Sequence, residues 1–193
     1  MIKAIIFDCF GVLTVDRWLE FCESITDRDI REEARSFNYL YDAGKMPLEE
    51  FIEKMAKLSG RDKQEIISIF TNPVAAKNVE LIDYIRSLKP KYKIGMLSNV
   101  ATNWVREVLL TAEEQKLFDA MVFSYEIRAG KPDAIAYKTA LEKLQVTPED
   151  AVFIDDLLRY VEGAKKQGIK SIQYKSFPQM KKDLEPVLAG SND

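Results

Sequence analysis

The feature that most constrains the fold is a series of five short apolar runs separated by amphipathic helical patterns. Short, continuous apolar runs are typical of strands buried on both faces of a parallel sheet. Strands that alternate with helices predict an α/β fold with a mostly parallel, Rossmann-like sheet and helices on both sides. The predicted strands are residues 2–7, 92–97, 120–123, 151–154 and 171–174, and the predicted helices are residues 79–88, 104–110, 134–144 and 160–167.

Residues 15–78 interrupt this alternation with helical patterns alone. These patterns cover residues 16–24, 29–40, 48–58 and 62–70, and they are separated by Gly44, Pro47, Gly60 and Pro73. The interruption predicts a small helical domain inserted after the first strand, between two parts of a core domain formed by residues 1–14 and 79–193. Gly168 lies where a C-cap glycine is expected, and residues 190–193 are predicted to be frayed.

Composition excludes several functions and partners. With 28 basic and 31 acidic residues and no basic block, the chain is not expected to bind nucleic acid. The apolar run after Lys3 ends at Asp8 and is too short for a signal sequence, so we expect no membrane association. Two cysteines are too few for a disulfide framework and suggest the cytoplasm. The absence of histidine excludes Ser-His-Asp and Cys-His mechanisms and leaves carboxylates, lysine, hydroxyls and a hard metal ion.

Polar residues follow the first two strands of the core. Asp8 comes directly after the first strand, where a carboxylate can act as a nucleophile and Gly11 permits a sharp turn. The alternative for Asp8 is a turn cap. Ser98 and Asn99 follow the second strand, where they can hold a phosphoryl or carboxylate oxygen or cap the next helix. Ligands bind at the carboxyl ends of parallel strands, which makes these residues candidates for one site.

Charged residues follow the next two strands. Lys131 can neutralise Asp8 and an anionic substrate, or it can be a solvated surface charge. Pro132 suits the first turn of the following helix. Asp155 and Asp156 are adjacent acids at the end of a buried strand, and a divalent cation such as Mg²⁺ would compensate their repulsion.

Together and in this order, the four clusters resemble the motifs of the haloacid dehalogenase superfamily of hydrolases and phosphatases. The resemblance covers essentially the whole chain, including a helical cap after the first motif, and is strongest for the small sugar-phosphate phosphatases. It implies that Asp8 is the nucleophile that forms an aspartyl-phosphate, that Ser98 hydrogen-bonds the transferring phosphoryl group and that Lys131 steadies its charge. It also implies that Mg²⁺ orients this group for in-line attack. The implied metal ligands are Asp8, the carbonyl of Phe10, Asp155 and Asp156, and the implied substrate-binding residues are Phe10, Gly11 and Asn99.

One departure from the family pattern concerns the leaving group. Family phosphatases usually carry a second aspartate at the position of Phe10, which protonates the leaving group and then activates water. Its loss costs roughly 10²–10⁴-fold in rate. The first interpretation is a phosphatase whose leaving group needs little protonation, such as a sugar phosphorylated at its anomeric carbon.

Two alternatives remain open. The second interpretation is a metal-independent 2-haloacid dehalogenase, because such enzymes carry an aromatic residue at the Phe10 position and Tyr137 matches a tyrosine that they use. The acidic pair Asp155 and Asp156 disagrees with it, because dehalogenases have serine and asparagine there. The third interpretation is a non-catalytic binder of a phosphorylated ligand or protein, since Tyr160 replaces a common asparagine.

The cap is expected to select a small phosphorylated molecule by closing over the core site. Its candidate selectivity residues are Arg17, Trp18, Phe21 and the segment 39–42. Aromatic residues at helical spacing are also typical of a buried helix face, so Trp18 and Phe21 fit the interior of the cap equally well. We expect a monomer or a weak homodimer.

Overall fold

The computed structural model describes residues 1–71 and 76–190. Its centre is a five-stranded sheet with the order β3-β2-β1-β4-β5, in which all neighbouring strands are parallel. The predicted α/β class and parallel sheet are therefore confirmed, and β1 is the central strand. The strands are β1 (Ala4–Phe7), β2 (Lys93–Ser98), β3 (Ala120–Phe123), β4 (Ala151–Asp155) and β5 (Lys170–Gln173).

Helices surround the sheet and form the insertion. In chain order, those of the described residues are α1 (Arg17–Ser24), α2 (Arg28–Asp42), α3 (Leu48–Ser59), α4 (Lys63–Thr71), α5 (Val79–Leu88), α6 (Ala112–Gln115), α7 (Ser124–Ile127), α8 (Ala134–Leu144), α9 (Leu158–Lys165) and α10 (Phe177–Ala189). None of these helices is both long and apolar enough to cross a bilayer.

The sheet buries both of its faces, as the continuous apolar runs predict. In β1, Ile5 and Phe7 point into a core that α5 and α10 cover. Ala4 and Ile6 point to the opposite face, which α8 and α9 cover. Because successive side chains of a strand point to opposite faces, only a strand that is apolar at every position can occupy this middle layer.

Helices α1–α4 pack around a third apolar cluster that is separate from the two sheet faces. Phe51 is at its centre and contacts Tyr41 and Phe70 with ring centroids 4.5 and 4.9 Å apart. The segments that lead into and out of this helical unit are paired with each other. Thr14 forms a β-bridge with Lys77, and the Asn78 amide donates to the Leu13 carbonyl at 2.9 Å. The division into a core of residues 1–14 and 79–193 and an inserted cap of residues 15–78 stays a prediction, with which this packing agrees.

Several local predictions need correction. Residues 104–110 form a five-residue π-helical segment, Val105–Leu109, instead of an α-helix. Ser98 and Asn99 therefore do not cap an adjoining helix. Pro132 precedes α8 instead of lying in its first turn, because Asp133 is the N-cap residue, and the Lys131–Pro132 peptide bond is cis.

The C-terminal helix α10 was not predicted from the sequence. It contains Pro178 in its first turn and Pro186 near its end, and proline inside a helical pattern argues against a helix. In contrast, Gly168 adopts a φ of +81° after α9, and its amide donates to the Lys165 carbonyl at 2.9 Å, so the predicted C-cap is confirmed. Pro73 and residues 191–193 lie outside the described residues.

Candidate active site

Asp8, Lys131 and Asp155 form a buried ion cluster at the centre of the sheet's carboxyl edge. The Lys131 Nζ lies 2.7 Å from Oδ1 of Asp8 and 2.6 Å from Oδ2 of Asp155. The exposed fractions of Asp8, Lys131 and Asp155 are 5%, 1% and 0%. Asp8 follows β1 and Asp155 ends the neighbouring β4, so parallel pairing brings the two carboxylates to the same point. Burial of these charges is tolerated because each is paired.

The backbone fixes the direction in which Asp8 points. Its amide donates to the Ile154 carbonyl at 2.9 Å, and its Oδ1 accepts from the Cys9 amide at 2.6 Å as well as from Lys131. Asp8 Oδ1 thus contacts two donors among the described residues, the Cys9 amide and the Lys131 ammonium. The arrangement leaves Oδ2 as the oxygen that can face a substrate.

Asn99 holds the main chain of Lys131 in place. Its Oδ1 accepts from the Lys131 amide at 2.8 Å, and its Nδ2 donates to the Lys131 carbonyl at 2.9 Å. A Cβ on the adjacent Gly130 would lie 2.9 Å from the same Oδ1, so only glycine fits beneath the amide. Asn99 was predicted to bind substrate. Its amide serves Lys131 in this structure, and the substrate contact stays a prediction.

The electrostatics of the cluster show an excess of negative charge. Burial, reinforced by the carboxylate of Asp155, raises the pKa of Asp8, and Lys131 acts in the opposite direction. Burial opposes the charge of Lys131, but Asp155 and Asp8 outweigh it and raise the pKa of that ammonium. Burial and Asp155 also raise the pKa of Asp156 to about 7. Three acids around one ammonium favour the uptake of an additional cation.

The donor set fits such a cation. Carboxylate oxygens of Asp8, Asp155 and Asp156 lie within 4.8 Å of one another. Asp156 Oδ1 is buried without a hydrogen-bond partner among the described residues, so an oxygen is available for coordination. Oxygen-only ligands suit a hard ion such as Mg²⁺. Gly11, at a φ of +78°, makes room for this carboxylate, because a Cβ there would lie 2.3 Å from Asp156 Oδ2.

Ser98 has a buried hydroxyl with no hydrogen-bond partner among the described residues, as expected of a group that binds a ligand. It is the last residue of β2, the strand beside β1, and its exposed fraction is 0%. Its Oγ has no hydrogen-bond partner among the described residues. A buried, unsatisfied hydroxyl is costly in a folded protein and is common where a substrate completes the hydrogen bond.

Phe10 lies at the wall of a cavity of about 360 Å³ between the core and the inserted helices. Its ring stacks on Trp104, with centroids 5.8 Å apart and an angle of 23° between the planes. Sequence reasoning missed Trp104 as a site residue, since only the tertiary fold brings it to Phe10. The wall also includes Asp8, Asn99 and Lys131. Gly11 is not among the described residues of the wall, so its predicted substrate contact stays a prediction.

Several candidate selectivity residues of the cap reach this cavity and others do not. The wall includes Arg17, Trp18, Tyr41 and Asp42, together with Asp16, which the sequence reasoning did not single out. Phe21 instead lies inside the cap, 3% exposed. The hydroxyl of Tyr39 donates to the carboxylate of Asp133 and so ties the cap to the core.

Tyr137 and Tyr160, which the sequence analysis also considered, have different positions relative to the cavity. Tyr137 is fully buried against Phe153, and its hydroxyl donates to the Tyr160 carbonyl at 2.8 Å, so it packs α8 against α9. The Tyr160 ring covers Lys131, with Nζ 4.9 Å from the ring centroid. Tyr160 therefore belongs to the cavity wall, whereas Tyr137 lies behind it.

The fold and this site define the chain as a hydrolase. More narrowly, the chain belongs to the haloacid dehalogenase-like hydrolase family, whose model matches residues 2–168.

Two sequence relatives are phosphatases. A phosphorylated carbohydrates phosphatase of Thermotoga maritima is 29% identical over 129 residues, which cover 66% of this chain and 57% of the relative. The match thus spans little more than half of that protein's length. A phosphatase of Mycobacterium tuberculosis is 27% identical over 186 residues, which cover 88% of this chain and 86% of the relative.

Two solved structures share the fold. A HAD family enzyme from Bacteroides thetaiotaomicron, in complex with magnesium and inorganic phosphate, has a TM-score of 0.67 at 22% identity, covering 93% of this chain and 99% of that one. The L-2-haloacid dehalogenase of Xanthobacter autotrophicus has a TM-score of 0.66 at 21% identity, covering 100% and 84%. Their near-equal scores mean that the fold does not distinguish a phosphatase from a dehalogenase.

Proposed function

We propose that the chain is a magnesium-dependent phosphatase of small phosphorylated carbohydrates, with Asp8 as the nucleophile that forms an aspartyl-phosphate. The observation that carries the proposal is the buried cluster of three carboxylates around Lys131, in which Asp156 Oδ1 is free to coordinate. The two relatives support phosphatase activity, and the one from Thermotoga maritima supports phosphorylated carbohydrates as the substrate class.

The proposed chemistry assigns one task to each residue of the cluster. Asp8 Oδ2 attacks phosphorus while Lys131 remains an ammonium and attracts the phosphoryl oxygens. The Ser98 hydroxyl donates to one of those oxygens and so gains the partner that it lacks. A bound Mg²⁺ would screen the repulsion between Asp8 and the anionic substrate. Asp156, with Asp155 and the Phe10 carbonyl, would hold that ion.

The leaving oxygen and the hydrolytic water need a proton carrier, and Phe10 does not supply one. An anomeric hydroxyl leaves more easily than an alkyl alcohol because the ring oxygen makes it more acidic. A phosphorylated sugar whose ester lies at the anomeric carbon is therefore a substrate whose leaving oxygen needs no acid at the Phe10 position, although the hydrolytic water still needs a base.

The test is a phosphate-release panel of sugar phosphates, with and without Mg²⁺. We expect release that requires Mg²⁺ and that Asp8→Asn abolishes. Glu33→Gln is the matched control, because it removes one negative charge from an exposed position of α2. Absence of release from every phosphate ester by the wild type would refute the proposal. Ligand binding at Asp8 without turnover would instead favour the non-catalytic binder.

A dehalogenase is the second candidate, because Phe10 places an aromatic ring beside Asp8 in the cavity wall. It predicts halide release from a 2-chloro acid without Mg²⁺. The acidic pair opposes it, and Tyr137 packs behind the cavity wall with its hydroxyl on the Tyr160 carbonyl. Halide release combined with no phosphate release would replace the phosphatase by this candidate.

A further inference from the structure

The cap supplies two acidic groups to the wall of the cavity that Phe10 also lines. Asp16 and Asp42 both line the cavity that contains Asp8 and Lys131. The chain has no histidine, so an acid-base group that works near neutral pH has to be a perturbed side chain of another type. Carboxyl groups in partly dehydrated cavities are suited to this task.

Asp42 is held rigidly although it belongs to the cap. It is the last residue of α2, and its carbonyl accepts from the Ser124 hydroxyl of the core at 2.6 Å. The same hydroxyl accepts from the Val100 amide at 2.8 Å, just beyond the Ser98 end of β2. In the side chain of Asp42, Oδ2 accepts from Asn38 Nδ2 at 2.7 Å. A neutral amide that binds one oxygen orients the carboxyl group and is compatible with both of its protonation states.

The surroundings of Asp42 keep a proton on it near neutral pH. Burial and then the carboxylate of Asp16 raise the pKa of Asp42 to about 7, against the effects of Asn38 and Lys131. The charged groups that face it are Asp16, from the loop before α1, and Lys131, from the loop before α8, and Tyr160 of α9 is the titratable group nearby. A pKa close to the working pH suits a group that first gives and then takes a proton.

Asp16 is less suited to proton transfer because it has a structural task. Its Oδ1 accepts from the Leu19 amide at 3.0 Å as the N-cap of α1. Burial raises the pKa of Asp16, and the amides and dipole of the helix, which stabilise the charged form of a capping carboxylate, act against that rise. Asp16 thus acts on Asp42 mainly through its charge.

We propose that Asp42 is the general acid and base of the reaction, in place of the missing carboxylate at Phe10; this rests on the proposed phosphatase function. In the first step, Asp8 Oδ2 bonds to phosphorus, the bond from phosphorus to the ester oxygen breaks, and the Asp42 proton moves to that oxygen to release the alcohol. In the second step, the Asp42 carboxylate takes a proton from water, the water oxygen bonds to phosphorus, and the phosphorus bond to Asp8 breaks. Phosphate leaves, and both aspartates return to their initial states.

The test compares esters whose leaving groups differ in acidity. With Asp42→Asn, we expect turnover of an alkyl phosphate, such as a sugar phosphorylated at a primary hydroxyl, to fall roughly 10²–10⁴-fold. With a dinitrophenyl phosphate, whose phenolate leaves without a proton, the variant is expected to keep a rapid burst of phenol release and then to stall at the aspartyl-phosphate. Glu33→Gln, which removes a charge from an exposed position of the same helix as Asp42, is the matched control and is expected to leave the turnover of both esters unchanged.

Two further measurements guard against a variant that is merely misfolded. Asp42→Glu is expected to restore part of the alkyl phosphate turnover, and Phe10→Asp in the Asp42→Asn background is expected to restore more, because it returns an acid to the loop after β1. The first-step rate of the wild type on the alkyl ester is expected to decline as the pH rises through about 7, and Asp42→Asn is expected to lose that decline.

The outcomes separate this proposal from the phosphatase proposal. Equal losses of the first-step rate on both esters in Asp42→Asn, measured as the burst of alcohol or phenol release, would overturn the role of Asp42 and leave the phosphatase intact. A wild type that hydrolyses anomeric but not alkyl phosphates would do the same. A wild type that matches Asp8→Asn on every ester would overturn both.

Discussion

The unusual protonation of Asp42 has a consequence for stability that can be measured without any substrate. The carboxyl group keeps its proton up to about pH 7 in the folded protein, whereas its ordinary pKa is 3.8. Between these values the folded state binds a proton that the unfolded state has lost, so the free energy of unfolding falls as the pH rises. Asp42→Asn removes this dependence, and the variant is expected to gain stability relative to the wild type as the pH increases.

The magnitude follows from the two pKa values. A tenfold change in proton affinity corresponds to about 1.4 kcal/mol, so a rise from 3.8 to about 7 costs the wild type on the order of 4 kcal/mol above pH 7. At pH 5 roughly 1.6 kcal/mol of that cost is already present. The difference in unfolding free energy between Asp42→Asn and the wild type should therefore grow by about 2–3 kcal/mol between pH 5 and pH 8. Partial hydration of the cavity makes this an upper bound.

The assay is urea-induced unfolding of both proteins at pH 5, 6, 7 and 8, with a chelator present so that metal binding does not contribute. Glu33→Gln serves as the control, since it removes a charge from an exposed position of the same helix. We expect the control to differ from the wild type by an amount that does not change with pH. A constant difference for Asp42→Asn, or one that shrinks at high pH, would refute the assignment of a proton to Asp42.

Three other perturbations test the buried cluster. Lys131→Met leaves Asp8 and Asp155 without their cation and is expected to lower the free energy of unfolding by roughly 3–5 kcal/mol in urea titrations at pH 7, and a loss below about 1 kcal/mol would contradict the pairing. Gly11→Ala places a Cβ 2.3 Å from Asp156 Oδ2 at a positive φ, so we expect a loss of about 1–2 kcal/mol of stability and weaker Mg²⁺ binding by calorimetry; unchanged affinity would count against a metal site there. Mg²⁺ at a hundredfold excess over its Kd should stabilise the wild type by about 2.7 kcal/mol in thermal unfolding, and Asp156→Asn should lose most of this gain.

The sequence alone indicated the candidate site because its residues lie at or after the carboxyl ends of buried strands. Asp8 directly follows β1, Asp155 ends β4, and Lys131 lies between α7 and α8, after β3. Asp8 is separated from Lys131 and Asp155 by more than a hundred residues, but parallel strands carry such positions to one edge of the sheet. The apolar runs identify the strands, and Asp8 and Asp155 at the ends of two of them are then placed without knowledge of side-chain packing.

The part of the site that the cap contributes was harder to predict for the opposite reason. Asp42 ends an amphipathic helix, and its place in the cavity depends on the contact of its carbonyl with Ser124, 82 residues further along the chain. The hydrophobic periodicity of a helix does not indicate a contact of this kind between distant parts of the chain. Trp104 was predicted to lie on an ordinary helix, whereas it directly precedes a short π-helical segment, and its ring stacks on Phe10.

The cavity wall contains residues whose intrinsic fluorescence can report on the site. Trp18 and Trp104 are the two tryptophans of the chain, and they line the same cavity from opposite sides, one on the cap and one on the core. Intrinsic fluorescence excited at the indole band therefore originates entirely from the walls of the site. Because Trp104 can be replaced without touching the cap and Trp18 without touching the core, single-tryptophan forms would distinguish filling of the cavity from displacement of the cap by emission alone.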